Sequence, residues 1–70
     1  MKELDLHGII HVDVPLEVEN FLFYNESVFP VKIITGNSDK MRTMVVDILK
    51  KNNYIFEIPA HNSGEIIVLY

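Results

Sequence analysis

Two stretches of branched aliphatic residues constrain this chain more than any other feature. Val31-Lys32-Ile33-Ile34-Thr35 is nearly continuous in apolar content, and the run from Glu65 to Tyr70 is apolar on both faces of an extended segment. Strands of that composition belong inside a sheet, where neither face is left to water. Between them the period changes. Met41, Met44, Val45, Ile48 and Leu49 fit the spacing of one helical face, and Lys50 and Lys51 fall in the last turn, where the helix dipole favours cations. Ser38 is the natural cap of that helix, and Asn52-Asn53 is its stop.

The first half repeats the pattern. Glu3 to His7 alternates polar and apolar, which predicts a half-buried strand with Leu4 and Leu6 toward the core. Asp5 and His7 then share the other face, roughly 6.5 Å apart, and Gly8 ends the strand. Asp13 before Val14-Pro15 reads as a capping acid followed by proline in the first helical turn. Val14, Val18, Phe21 and Leu22 form the apolar stripe of that helix, which fades near Asn25 and cannot pass Pro30. Tyr54 to Ile58 is a further strand, joined to the last by a turn from Pro59 to Gly64. The order is β-α-β-α-β-β.

Seventy residues make one domain, 1–70, and the 49% apolar content gives it a small core. With no cysteine, neither disulfides nor thiolates can staple it, which fits a reducing compartment. Apolar runs fall far short of the roughly 20 residues that span a bilayer, and acids occupy the N-terminus where a signal peptide needs an apolar core. The expectation is a soluble, cytoplasmic protein with no membrane partner.

Right-handed crossovers that step the same way across the sheet place both helices on one face, giving a two-layer sandwich of the α/β (α+β) type with one sheet face open. The parallel strands then end at a common edge. His7-Gly8, Thr35-Gly36-Asn37-Ser38 and His61-Asn62-Ser63-Gly64 gather there, where open α/β sheets bind ligands. Charge is uneven as well. Lys32, Lys40, Arg42, Lys50 and Lys51 meet only Asp39 and Asp47, whereas the remainder sets Lys2 against eight acids, for a net charge of −4. A basic face on an acidic body is consistent with this, as is an ordinary solvated surface.

The ordered words also resemble a known family. Leu4-Asp5-Leu6-His7-Gly8 is similar to the opening motif of the Smr (small MutS-related) domain, and Phe21-Leu22 falls where that family carries a phenylalanine-leucine pair. Val31 to Gly36 resembles the strand leading into the family's histidine-glycine-x-glycine loop. Met41-Arg42, Val45-Val46 and Leu49-Lys50 resemble its second helix, and Ser63-Gly64 with the last strand resembles its glycine-rich turn in shortened form. The resemblance implies a four-stranded mixed sheet in the order 1-2-4-3. It also implies a nucleic-acid-binding protein, an endonuclease acting on RNA more than DNA, in some cases at the ribosome. Asp5 and His7 match the family's acid-histidine pair and Gly36 its first loop glycine. Thr35 stands in place of the loop histidine and Ser38 in place of the second glycine, and both departures bear on cleavage.

The residues support that chemistry in part. Imidazole as a group titrates near neutral pH, so His7 suits the role of general base or acid, with Asp5 to orient it or raise its pKa. Alternatively the two simply brace the first loop. Thr35, Gly36, Asn37 and Ser38 lead into a helix whose first amides form an anion site, with Lys40 and Arg42 adding charge. A strand-to-helix turn with a serine cap requires similar residues without any ligand. His61 is an accessory proton carrier or a solvated loop residue. No metal or other cofactor is expected, because Asp5, His7 and His11 match no zinc spacing. Tyr24, Phe29, Tyr54 and Phe56 are expected to pack in the core or at its rim. Two alternatives to a metal-independent endonuclease remain: a binding module that has lost cleavage, and an interaction protein that homodimerises through its open sheet face.

Overall fold

In the computed structural model, which describes residues 1–70, the elements are β1 (Glu3–Asp5), α1 (Val14–Tyr24), β2 (Val31–Ile34), α2 (Asp39–Lys51), β3 (Phe56–Glu57) and β4 (Glu65–Val68). The sheet order is β1-β2-β4-β3. β1 runs parallel to β2, and β4 antiparallel to both of its neighbours. The two branched-aliphatic strands thus take the two interior places. Val31 pairs with Val68 and Ile33 with Ile66, and all four are buried. Together with Leu6 they meet Val14, Val18 and Leu22 of α1 and Met41, Val45, Ile48 and Leu49 of α2 in one core of 12 side chains. Both helices therefore lie on one face, as a two-layer sandwich requires. Each fully buried aliphatic contributes roughly 1.5–3 kcal/mol.

The opposite face is carried by the alternate residues. Lys32, Ile34, Glu65 and Ile67 are half-buried there, with Lys32 Nζ 3.4 Å from Glu65 Oε2. No helix is long and apolar enough to cross a membrane.

Helix ends show how local chemistry sets the boundaries. Ser38 Oγ accepts from the Met41 amide at 3.0 Å, the expected cap. Asn25 and Asn52 close α1 and α2 in the same way, each side-chain amide donating at 2.8 Å to the carbonyl four residues back, Phe21 and Ile48 respectively. Beyond Asn52, Asn53 adopts φ 62°, its amide bonds the Lys50 carbonyl, and the Tyr54 amide bonds the Leu49 carbonyl at 2.9 Å. This is a Schellman ending with asparagine in the left-handed position.

Three boundaries differ from expectation. Asp13 is not a cap. A 3-10 turn over His11–Asp13 already gives it helical angles (φ −91°, ψ −10°), whereas a capping side chain needs an extended backbone. β1 stops at Asp5, so His7 lies in a turn rather than on the open sheet face. The last two strands are shorter than their apolar runs, because the Ile55 carbonyl accepts from the amides of both Leu69 (2.7 Å) and Tyr70 (3.4 Å). Two residues opposing one is a β-bulge, and it ends the regular ladder at Val68.

Candidate functional site

The ends of β1 and β2 and the start of β4 lie side by side, with Asp5 beside Ile34 and Ile34 beside Glu65. The loops at that edge are joined by one acceptor. The Gly64 carbonyl takes the amides of Thr35 (2.8 Å) and Gly36 (3.1 Å) and the Thr35 hydroxyl (3.3 Å). Gly36 sits at φ +67°, and a Cβ on Gly64 would lie 3.2 Å from the Gly36 oxygen, so the two loops touch at their glycines. The sequence places these loops together, and the structure does so too. It also shows that three donors expected to face a phosphate, on Thr35 and Gly36, are already occupied.

The donors left over lie one step further on. The amides of Asn37, Ser38, Asp39 and Lys40 find no acceptor within the protein, while that of Met41 is taken by the Ser38 side chain. Unpaired N–H groups at the positive end of a helix dipole form an anion-binding arrangement. Lys40 is exposed and makes no ion pair beside them. Arg42 is committed elsewhere. Its Nε donates to the Ser63 carbonyl at 2.8 Å and its Nη1 pairs with Asp39, so it ties α2 to the β3–β4 turn. By that pairing it also offsets the Asp39 carboxylate, which would otherwise oppose an anion at the same helix start.

Asp5 and His7 meet, though not side chain to side chain. Asp5 Oδ1 accepts from the His7 main-chain amide at 2.9 Å, forming an Asx turn that Gly8 completes at φ +81°. The His7 ring is exposed, with no hydrogen bond and no ion pair. The expected orientation of the imidazole by the carboxylate is therefore absent from this arrangement: Asp5 holds the main chain of His7 and not its ring. His61 is exposed in the β3–β4 turn at the same sheet end, also without a side-chain hydrogen bond. No three His, Asp or Glu side chains converge anywhere in the chain.

This edge is an open surface rather than a hollow. A groove of about 320 Å³ lies between α1 and the C-terminal end of α2, lined by Glu19, Asn20, Phe23, Asn52 and Tyr54. Burial, and secondarily the neighbouring Glu26 carboxylate, push the Tyr54 phenol above its ordinary value of 10.0. Tyr54 also packs on Phe29, with ring centres 5.8 Å apart. Phe29, Tyr54 and Phe56 are half-buried against the core as expected, whereas Tyr24 stands in solvent, edge-on to Phe23 at 5.3 Å. The groove's trace in the sequence is Phe23, an apolar residue off the buried stripe of α1. No protein-family model, no curated protein and no solved structure matches the chain.

Proposed function

We propose that this chain binds nucleic acid, RNA in preference to DNA, by seating a backbone phosphate on the free amides of Asn37, Ser38, Asp39 and Lys40. The observation that carries this reading is that run of unpaired donors at the start of a helix of 13 residues, with the uncommitted Lys40 ammonium beside it. Thr35, Gly36 and Arg42 act by shaping the loop rather than by touching the ligand. The resemblance of Leu4 to Gly8 and of the segments after it to the Smr domain supports the same class of partner, and RNA within that class.

A chemical step is the second part of the proposal, favoured by the free ring of His7 at the same sheet end. In RNA the 2′-hydroxyl attacks the adjacent phosphorus: the O2′–P bond forms, the P–O5′ bond breaks, and one proton leaves O2′ while another reaches O5′. An unpaired imidazole can serve either transfer, each worth about 10² to 10⁴-fold in rate. His61, exposed in the turn at the same sheet end, is the candidate for the other.

Binding of labelled single-stranded and hairpin RNA between about 50 and 200 mM salt, the range over which counterion release is strong, tests the first part. Affinity should fall steeply with salt, and Lys40→Ala should weaken it and reduce the salt slope by about 0.7 to 0.9. Arg42→Ala should lower thermal stability as well, because the Ser63 turn loses its tie. Salt-independent binding, or full affinity in Lys40→Ala, would remove the proposal. His7→Ala should retain binding and lose strand scission; scission at an unchanged rate in that variant would remove the catalytic role of His7, and no scission by the parent between about pH 5 and 8 would leave the chain a binding module alone.

A further inference from the structure

Helix α1 is apolar on two sides. Its inward side carries Val14, Val18 and Leu22, all buried, yet Leu16 (63% exposed), Phe23 (66%) and Tyr24 (77%) point to water from the outward side. Leu16, Asn20, Phe23 and Tyr24 follow the i, i+4, i+7, i+8 spacing of a single face. A surface helix ordinarily reserves such a face for polar residues. Phe23 also lines the groove described above, so stripe and groove form one continuous surface.

The charge around that surface narrows what can cover it. Residues 3 to 31 hold Glu3, Asp5, Asp13, Glu17, Glu19 and Glu26 and no Lys or Arg. Both helices also end at the groove: α1 stops at Tyr24, and Asn52 and Tyr54 follow the last residue of α2, so the negative ends of two helix dipoles converge on it. Asn52 gives its N–H to Ile48 and so offers its carbonyl oxygen. Lys50 and Lys51 are exposed and do not line the groove. A second copy would bring a second set of Glu17 and Glu19 carboxylates to the same surface, and anionic lipid or nucleic acid would meet the first set. A cationic, partly apolar protein segment meets none of these penalties. Arginine suits the groove better than lysine, since a planar guanidinium stacks on Phe23 or Tyr54 while donating to Glu19 and the Asn52 oxygen.

We infer that the outer face of α1 and the adjoining groove are a docking surface for an arginine-bearing amphipathic segment of a protein partner, its apolar residues on Leu16 and Phe23 and its arginine between Phe23 and Tyr54. This surface lies at the far end of α2 from Ser38, about 20 Å away at 1.5 Å per residue. It is independent of the nucleic-acid reading, and the chain is thereby able to hold an anion at one end and a cationic partner at the other.

The full chain titrated with N-acetyl-arginine amide should show NMR shift changes concentrated at Asn20, Phe23, Asn52 and Tyr54. A helical leucine–arginine peptide should bind about tenfold or more tightly than its leucine–glutamate counterpart. Phe23→Ala and Glu19→Gln, both at exposed positions, should each weaken that binding by about three- to tenfold, the range of a partly desolvated cation–aromatic contact, and Lys40→Ala should leave it unchanged. Equal binding of the two peptides, or binding indifferent to Phe23→Ala, would overturn the inference. So would sedimentation showing self-association that Phe23→Ala abolishes, since the face would then belong to a second copy.

Discussion

The carbonyl oxygen of Gly64 is held by Thr35 twice, through the main-chain amide at 2.8 Å and the hydroxyl at 3.3 Å, across a separation of 29 residues. Thr35 is buried, and its hydroxyl has no other outlet than the neighbouring Gly36 carbonyl at 3.4 Å. Threonine at this position is therefore a brace between the β2–α2 loop and the β3–β4 turn. The amides of Asn37 to Lys40 are left free by the same arrangement.

Replacing Thr35 by valine keeps the shape and removes the hydroxyl bond. A loss of about 1 kcal/mol is expected, seen as a fall in melting temperature of about 4–8 °C for a domain of this size. RNA affinity should stay near that of the parent, because the proposed phosphate donors are untouched. Gly64→Ala should cost more, about 1–3 kcal/mol, since its Cβ would press on the Gly36 carbonyl. Thermal and urea unfolding of the two variants provide the measurement; equal and negligible losses would show that the two loops are not coupled.

The two helix starts should respond differently to alanine. Ser38 Oγ accepts a hydrogen bond and Asp13 makes none. Ser38→Ala should cost about 1 kcal/mol, while Asp13→Ala should fall within about 0.5 kcal/mol of the parent. Urea midpoints at constant slope would establish the difference.

Tyr54 predicts a loss of stability in alkali. Its folded pKa is raised above 10.0, first by burial and then by Glu26, so the folded state holds the phenolic proton where the unfolded state has released it. The associated stability is complete below the unfolded value and declines as pH rises from about 10 through the folded value. Tyr54→Phe should remove this component of the pH dependence, visible when stability is measured on both sides of that window. Glu26→Gln should narrow the window without closing it, because burial remains. Phenolate absorbance of the parent should report the raised titration directly.

Much of the architecture was legible from local chemistry. The runs at Val31 to Ile34 and Ile66 to Val68 could only be interior, the stripe from Met41 to Leu49 could only be one buried helix face, and Ser38 was a cap by position and type. Where two local signals compete, neighbouring backbone decides between them. Asp13 has the chemistry of a cap, but the 3-10 turn from His11 gives its backbone helical angles first. His7 has the spacing of a strand residue, yet the Asp5 carboxylate folds onto its amide and turns the chain.

From the sequence alone came the element order, the two interior strands and the gathering of polar loops at one sheet edge, because hydrophobic period and cap chemistry act over a few neighbouring residues. Tertiary structure alone decided which donors at that edge remain free. The partners of Thr35, Gly36 and Arg42 lie in the turn at Ser63-Gly64, far along the chain, and a hydrogen bond across such a distance leaves no trace in the residues between. The groove beside Phe23 and Tyr54 has the same origin: it exists only because the ends of two helices meet, and no local pattern records that meeting.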